Sequence, residues 1–428
     1  MSAEASPVWH PFTQAAVEPA PVAIARTEGA CLVTADGRRI LDAISSWWVV
    51  THGHRHPAIE AAIIAAAGRL DQVIFAGFTH QPAEDLARAL VGIAPAGLTR
   101  VFYSDSGSTA VEVAIKMALG TWHNRGHPGR SRILALEHAY HGDTIGTMSA
   151  GARGVFNAAY GPLLFEVGRL PLPGPGVREA AVAIERLESE CRGGRVAALL
   201  VEPLVLGAGG MLAWPAATLA DMAEVCRRHD VLLIADEVMT GFGRTGTLFA
   251  VEQAGIAPDI LCLAKGLTGG ALPLAATLAS EEVYQAHLSR DRTKTFFHSS
   301  SYTANPIACA AGLANLGVWE AEPVLQRIAA LAIRQQAAVG ALAGKGPLRA
   351  PRAIGTIAAV DVAVPDAGYL ASVGLAIRRA ALARDVLVRP LGNTIYVMPP
   401  YCVTAEEIGS IYGAIEESVA EAMREHAA

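Results

Sequence analysis

The chain has 428 residues, of which 52% are hydrophobic and 17% charged, and it contains 42 glycines. These values exclude a disordered or fibrous chain and are typical of a turn-rich α/β enzyme with more than one structural unit. The formal net charge of −6 is diffuse, and no dense block of lysine and arginine is present, so nucleic acid and anionic membranes are not expected partners.

The first residues, MSAEASPVWHPFTQ, contain no basic segment followed by an apolar run, and no later apolar run is long enough to span a bilayer. We therefore expect a soluble, cytoplasmic protein that acts on small molecules. Its cysteines lack the CxxC spacing of a metal site and the density of a disulfide framework, so reduced thiols in the core are expected. They are Cys31, Cys191, Cys226, Cys262, Cys309 and Cys402.

The predicted elements begin with a hairpin in TEGACLVTADGRRILDA (27–43), which has Asp36-Gly37 as its turn. Short apolar runs then alternate with helical patterns, which predicts an α/β fold with a mainly parallel sheet flanked by helices. The predicted strands are VFYSD (101–105), RILALE (132–137), VAALLVE (196–202), VLLIAD (231–236), ILCLAK (260–265) and LPLAATLA (272–279).

After Asn305-Pro306 the pattern changes to one long helical stretch that runs to residue 344. Two strand-like segments follow, TIAAVDVAV and VLVRPLGNTIYVMPP, and the chain ends in an amphipathic helix whose apolar face includes Ile408, Ile411, Ile415 and Val419. We predict a large domain flanked by the two parts of a smaller α/β domain. The predicted boundaries are 1–56 for the N-terminal segment of the small domain, 57–316 for the large domain and 317–428 for the C-terminal small domain.

Polar residues collect where the predicted strands end. They are Asp105, Glu202, Asp236 and Lys265. One such residue is commonly a helix cap or a buried hydrogen-bonded group. In open α/β sheets, however, ligands bind beyond the carboxyl ends of the strands, so the four together favour a functional site.

A phosphate site is predicted where the first of these strands leads through Ser106-Gly107-Ser108 into a helix. The free N–H groups and the positive dipole of the first helical turn can hold a phosphate, Gly107 permits close approach, and the Ser108 hydroxyl adds a donor. An ordinary capped helix would have the same pattern. Neither GxGxxG nor GxxxxGK[ST] occurs, so a dinucleotide or nucleoside triphosphate is not indicated.

Lys265 and Asp236 together indicate a pyridoxal phosphate cofactor. A lysine desolvated at a strand end loses proton affinity and can form an imine with an aldehyde, and a nearby carboxylate can keep a pyridine nitrogen protonated. Tyr140 in AYHGDTIG could stack on one face of the ring, although an aromatic residue in such a loop is often simply packed. Val238 lies two residues after Asp236 and could support the other face.

The motifs SDSGS, AYHGDTIG, VEPL, IADEVMTGFGRTG, LAKGLTGG and SYTANPIACAAG together resemble the class III branch of the fold-type I pyridoxal-phosphate aminotransferases over nearly the whole chain. The resemblance implies a large domain with a mixed, mainly parallel sheet and a smaller α/β domain. It also implies a homodimer with shared active sites. The implied roles are Schiff-base formation and proton transfer for Lys265, pairing with the pyridine nitrogen for Asp236, ring stacking for Tyr140, and phosphate binding for Gly107, Ser108 and, from the other subunit, Ser301.

Four further stretches, WHPFTQ (9–14), SSWWVVTHGHRHP (45–57), GFTHQPA (77–83) and RPLGNTIYVMPPY (389–401), resemble the branch of this family that converts 8-amino-7-oxononanoate to 7,8-diaminononanoate in biotin biosynthesis. A long aliphatic substrate needs an apolar channel, for which an indole of the Trp47-Trp48 pair is a candidate. Arg389 could anchor the substrate carboxylate. The residues expected at the substrate site are Phe12, Trp47, Trp48, Asp143, Arg244, Arg389 and Tyr396.

The amino donor is left open between S-adenosylmethionine, which we favour, and lysine. Phe12, where users of S-adenosylmethionine commonly have tyrosine, and HSSSY (298–302), where they have HGPTF, are both typical of relatives that use lysine. Trp47 favours S-adenosylmethionine because the lysine users less often have tryptophan at this position.

Three other interpretations fit part of the sequence. A broader transaminase for ω-amines or ω-amino acids with pyruvate as acceptor would share most of the motifs, whereas a catalytically silent scaffold should have lost Lys265. His52, His54 and His56 have a spacing that suggests metal ligands, but no carboxylate or cysteine cluster accompanies them, so no metal is expected.

Overall fold

The computed structural model describes residues 7–174 and 176–427. A seven-stranded sheet lies at its centre and confirms the α/β class. From one edge to the other, its strands are Leu98–Ser104, Ala275–Ser280, Ile260–Leu263, Leu232–Asp236, Val196–Val201, Arg132–Leu136 and Gly168–Leu170.

The central sheet is mixed because one strand, Ala275–Ser280, runs antiparallel to both of its neighbours. The strand pairs on the other side of Ile260–Leu263 are parallel. Each of the six apolar runs predicted as strands contributes to this sheet, and only Gly168–Leu170 was not predicted. Three residues are too few for a hydrophobic period to emerge from the sequence.

Alternate residues of the central strands belong to two separate cores. Leu233 and Ala235 pack in one core and Ile234 packs in the other, as the period-2 geometry of a strand requires. Both faces of the sheet are therefore covered, which explains the near-continuous hydrophobicity of these strands. The helices up to residue 321 are Pro57–Ala67, Gln81–Ile93, Gly107–Asn124, Ile145–Ala150, Val177–Cys191, Ala216–Arg228, Glu281–His287 and Pro306–Ala321.

The long helical stretch predicted after residue 305 is two helices, and the prediction of one was wrong. Pro306–Ala321 ends before Glu322, and Val324–Gly340 begins after Pro323. Glu322 has extended backbone angles because a residue before proline is sterically excluded from the helical region. The later helices are Val373–Ala383 and Ala405–Ala427, and every helix within the described residues is too short or too polar to traverse a bilayer.

The N-terminal hairpin pairs with the C-terminal part of the chain. Strand Arg39–Asp42 is antiparallel to Cys31–Thr34 and parallel to Val386–Leu387, and Gly37 has the positive φ of 88° that the predicted turn needs. This four-stranded sheet also contains Ile24–Glu28.

A second small sheet consists of Leu348–Ile354, Ile357–Val362 and Thr394–Val397. The four apolar residues predicted on the last helix are buried in a core shared with this sheet. The predicted domain boundaries at residues 56 and 316 stay a prediction.

Candidate active site

Most of the residues predicted to hold a cofactor line one cavity at the carboxyl edge of the central sheet. The cavity has a volume of about 430 Å³. Parallel strands bring their carboxyl ends to the same edge, and this brings together residues that are far apart in the sequence. The predicted residues that line it are Trp48, Gly107, Ser108, Tyr140, Asp236, Val238 and Lys265.

Lys265 directly follows strand Ile260–Leu263 and Ala264, and it has a positive φ of 47°. Burial lowers the pKa of Lys265 to about 8, although the negative charges of Asp236 and Glu202 act in the opposite direction. Its Nζ lies 4.8 Å from the centre of the Trp48 indole. The neutral form of this amine is therefore far more populated near neutral pH than that of an ordinary lysine, as a nucleophile or proton carrier requires.

Asp236 is fixed by His141, which the sequence analysis did not identify. His141 Nδ1 and Asp236 Oδ2 are 2.7 Å apart, and both side chains are buried. The other carboxylate oxygen accepts from the backbone N–H of Val238 at 3.2 Å. His141 Nε2 has no partner among the described residues, which fits a histidine that donates from Nδ1 and orients the acid. The only sequence signal was its position next to Tyr140.

Glu202 ends strand Val196–Val201 and connects two loops at the cavity. Its carboxyl oxygens accept from the backbone N–H groups of Tyr140 at 2.8 Å and Gly207 at 3.0 Å. Burial raises the pKa of Glu202 to about 7. The sequence placed Glu202 among the polar strand ends of the site but gave it no role; in the structure it positions the loop that carries Tyr140.

The start of helix Gly107–Asn124 forms a narrow cradle. Ser106 caps the helix by accepting from the N–H of Thr109 at 3.2 Å, and the N–H groups before it have no partner within a helix. A Cβ at Gly107 would lie 2.5 Å from Val238 Cγ1, and one at Gly142 would lie 2.1 Å from Ser108 Oγ. Only glycine fits at these two positions, and the cradle has the free donors that bind a phosphate.

A second cavity of about 340 Å³ adjoins the first and shares Trp48, Tyr140 and Lys265 with it. Two aromatic residues that the sequence analysis missed, Phe156 and Tyr369, form part of its wall. Their ring centres are 4.2 Å apart. The remaining lining residues are Pro11, Phe12, Trp47, Asp143, Ala208 and Leu391, so the predicted residues Phe12, Trp47 and Asp143 are in place at an apolar channel that leads to Lys265.

Arg389 lies beside this channel in a neighbouring cavity of about 390 Å³ that also includes Phe12 and Tyr369. Its guanidinium carbon is 4.8 Å from the centre of the Trp47 indole, and its Nη2 donates to the carbonyl of Phe12 at 2.7 Å. The guanidinium is thus held beside the channel, at Trp47 and Phe12.

Besides Arg389, two predicted substrate residues line neither the first nor the second cavity. Arg244 is 1% exposed, and it donates to the carbonyls of Val50 at 2.8 Å and Pro399 at 3.0 Å. Tyr396 is also 1% exposed and packs edge-on against Trp48, with ring centres 5.9 Å apart. The expected contact of both residues with substrate stays a prediction.

Ser301 is exposed and lines neither of these two cavities in its own chain. Its carbonyl accepts from Gln72 Nε2 at 2.9 Å. Its expected role concerns a second subunit and stays a prediction.

The three neighbouring histidines have different polar contacts, although the rings of His52 and His56 pack edge-on, with centres 5.8 Å apart. His54 Nε2 lies 2.9 Å from Asp42 and His56 Nε2 lies 3.0 Å from Glu322, whereas His52 is enclosed by rings that include Trp319. Burial lowers the pKa of His52 to about 4. These contacts give each histidine a packing role.

Comparison with known proteins places the chain among aminotransferases. Residues 12–419 match the family model of the class-III aminotransferases. The chain is 50% identical to adenosylmethionine-8-amino-7-oxononanoate aminotransferase of Synechococcus elongatus, over 96% of this chain and 97% of that protein. It is 41% identical to the enzyme of the same name from Geobacter sulfurreducens, over 96% and 95% of the two chains.

Solved structures of aminotransferases are also similar to this chain. The crystal structure of adenosylmethionine-8-amino-7-oxononanoate aminotransferase from Methanocaldococcus jannaschii has a TM-score of 0.91 and 34% identity, with 97% of each chain covered. An amine transaminase from an uncultivated Pseudomonas species, in its pyridoxal-phosphate-bound form, has a TM-score of 0.90 and 36% identity, with 97% of this chain and 98% of that chain covered.

Class III aminotransferases depend on pyridoxal phosphate, and the first cavity fits this cofactor. Lys265 offers an amine to the cofactor's aldehyde, and Asp236 offers a carboxylate to its pyridine nitrogen. The glycine-lined helix start at Gly107 can hold the phosphate.

Proposed function

The chain belongs to the class III aminotransferase family, and on that premise we propose that it converts 8-amino-7-oxononanoate to 7,8-diaminononanoate in biotin biosynthesis, with S-adenosylmethionine as amino donor. The relatives of that name match almost the full chain at up to 50% identity. The observation that carries the proposal is the aromatic channel that joins Lys265 to the region of Arg389. Its apolar lining, with the amine of Lys265 in its wall and the guanidinium of Arg389 beside it, suits an aliphatic acceptor that carries a ketone and a carboxylate.

The bound cofactor would supply an electron sink when a proton leaves the carbon next to the transferred nitrogen. The chain's own residues would perform the remaining steps. Lys265 would hold the cofactor and then move the proton, because its lowered pKa of about 8 makes the amine both an acceptor and a donor near neutral pH. Asp236, oriented by His141 at 2.7 Å, would keep the pyridine nitrogen protonated.

Exclusion of water would depend on the aromatic residues. Tyr140 lines both cavities and Trp48 lies over Lys265, so both are placed to cover the reacting atoms. Phe12, Phe156 and Tyr369 would pack along the aliphatic chain of the acceptor. Arg389 would exchange its bond to the Phe12 carbonyl for a charge-assisted bond to the acceptor carboxylate.

The proposal includes a cytoplasmic homodimer in which Ser301 of each subunit completes the phosphate site of the other. The family resemblance supports the dimer. All six cysteines are unpaired in the structure, which supports a reducing compartment.

The experiment that tests the proposal identifies the amino donor and the amino acceptor in two separate half-reactions. The purified holoenzyme is mixed with S-adenosylmethionine, lysine or alanine in turn, and the visible spectrum shows which amine converts the cofactor to its pyridoxamine form. The converted enzyme then receives 8-amino-7-oxononanoate or pyruvate. Formation of 7,8-diaminononanoate, detected by mass spectrometry, supports the acceptor assignment.

Other outcomes distinguish the alternatives. If lysine, and not S-adenosylmethionine, converts the cofactor to its pyridoxamine form, only the assignment of the amino donor changes. Rapid turnover of alanine and pyruvate with no diaminononanoate would replace the proposal with a general amine transaminase, an activity carried by a structural relative at 36% identity.

A further inference from the structure

Four consecutive residues, Ser45 to Trp48, have left-handed backbone conformations. Their φ values are 52°, 46°, 72° and 74°, and none of them is glycine. Residues with a Cβ are strained in this region, and such a conformation persists only where the surroundings over-determine it. We call residues 45–48 the left-handed turn.

The carboxylate of Asp42 holds the start of the left-handed turn. Asp42 is 1% exposed. One of its oxygens accepts from the N–H of Ile44 at 3.3 Å, and the other accepts from the Ser46 hydroxyl at 2.7 Å. The second oxygen also lies 2.9 Å from His54 Nε2. A single buried carboxylate therefore receives three polar contacts, two of them from the turn or its immediate flank.

The other contacts fix the turn to the body of the molecule. The Ser45 hydroxyl donates to the carbonyl of Met398 at 2.7 Å, and Arg244 donates to the carbonyl of Val50 just after the turn at 2.8 Å. Asp42 bonds the second residue of the turn through the Ser46 hydroxyl. Among the described residues, it is the acidic side chain that holds the turn by a hydrogen bond.

The left-handed turn determines where two tryptophans point. Trp47 is 37% exposed and lines the substrate channel beside Phe12, with ring centres 5.5 Å apart. Trp48 is 5% exposed and lies over Lys265 at 4.8 Å. A right-handed backbone at these residues would point the two indoles in other directions, so the strained backbone sets where Trp47 meets the channel and where Trp48 meets Lys265.

We propose that Asp42 is a positioning residue for substrate recognition, which acts by holding the left-handed turn that presents Trp47 and Trp48. Asp42 itself lines neither cavity, so it acts on the substrate through the turn. The identity of the acceptor in this inference rests on the proposed function, whereas the effect on the turn does not.

The test is Asp42→Asn in the holoenzyme. Asparagine keeps one acceptor oxygen where three contacts converge, so the turn loses part of its support. We expect KM for the acceptor to rise about tenfold while kcat stays within about twofold, since Lys265 and Asp236 keep their positions. The near-UV circular dichroism of the substrate-free enzyme should also differ between Asp42→Asn and the wild type. This difference should be smaller when both enzymes also carry Trp47→Phe.

Asp259→Asn is the matched control. Asp259 also accepts a backbone N–H, from Leu233 at 2.7 Å, but it lines neither the cofactor cavity nor the substrate channel. We expect its acceptor KM and near-UV spectrum to equal those of the wild type.

A rescue variant separates positioning from general loss of structure. Glycine adopts left-handed angles without steric cost, so Ser46→Gly added to Asp42→Asn should return the acceptor KM to within about threefold of the wild-type value. A wild-type KM and spectrum in Asp42→Asn would overturn the inference. A fall in kcat at constant KM, or a failure of Ser46→Gly to restore KM, would overturn it as well. If the wild type does not use 8-amino-7-oxononanoate, the proposed function fails, while the substrate-free spectra still decide the role of Asp42.

Discussion

The two ends of the active site differ in how the chain builds them. The cofactor end consists of residues at the carboxyl ends of neighbouring strands in one sheet, such as Asp236 and Lys265. The substrate end is assembled from separate loops that lie far apart in sequence, and its walls include Phe12, Phe156 and Tyr369. Sheet topology alone dictates the first end, whereas the second depends on the tertiary packing of the small sheets and the N-terminal segment. Changes at the cofactor end should therefore affect the chemistry, and changes at the substrate end should affect selectivity.

The largest expected effect is at the cofactor end. Lys265→Ala removes the amine that holds the cofactor and moves the proton, so we expect kcat to fall about a thousandfold or more. The visible absorbance that borohydride removes should be lost with it. Steady-state rates and absorption spectra measure both. The control is Lys345→Ala, because Lys345 is exposed and pairs with Glu416. Normal turnover by Lys265→Ala would refute the assignment.

The next largest effect is expected at the substrate end. Arg389→Ala should lower kcat/KM for 8-amino-7-oxononanoate about a hundredfold through KM, because a charge-assisted bond to the carboxylate is lost. The methyl ester of the same acceptor should lose much less activity. Arg379→Ala is the control, since that arginine is exposed and pairs with Glu425. Equal losses for the acid and the ester would show that Arg389 does not bind the carboxylate.

The cofactor end was largely predictable from the sequence because its signals are local. Lys265 and Asp236 each close an apolar run, and the strand order of an α/β sheet brings such ends together. Gly107 marked the close approach of the helix start to Val238, where a Cβ would lie 2.5 Å away. His141 was missed because nothing in the sequence shows that its ring points toward Asp236.

The substrate end was only partly predictable, since no local pattern reports which loop residues meet. Phe156 and Tyr369 carry no motif and come together only through the fold. A sequence motif does not give the direction of a side chain: the Arg244 guanidinium donates to the backbone carbonyls of Val50 and Pro399, and its contact with substrate stays a prediction. The left-handed turn has no glycine to signal it.

A smaller effect should come from the channel wall. Phe156→Ala removes an aromatic surface that contacts Phe12 and Tyr369, with ring centres 6.0 and 4.2 Å away. We expect the acceptor KM to rise about tenfold with little change in kcat, because the loss of apolar contact weakens ground-state and transition-state binding alike. Phe165→Ala is a matched control at a 42% exposed phenylalanine outside the channel. A fall in kcat without a change in KM would show that Phe156 acts in the chemical step and not in substrate binding.

The smallest effect tests the electrostatics of the cofactor end. Burial lowers the pKa of Lys265 to about 8, and the charge of Asp236 limits that decrease. The apoenzyme, prepared by removing the cofactor, should therefore take up pyridoxal phosphate faster as pH rises through about 8, because only the neutral amine attacks the aldehyde. In Asp236→Asn the opposing charge is absent, so the midpoint of the rate profile should move to lower pH, by about half a unit. Stopped-flow absorbance gives both profiles. A midpoint that moves upward would mean that Asp236 does not stabilise the charged amine, and the carboxylate would then act on the cofactor ring alone.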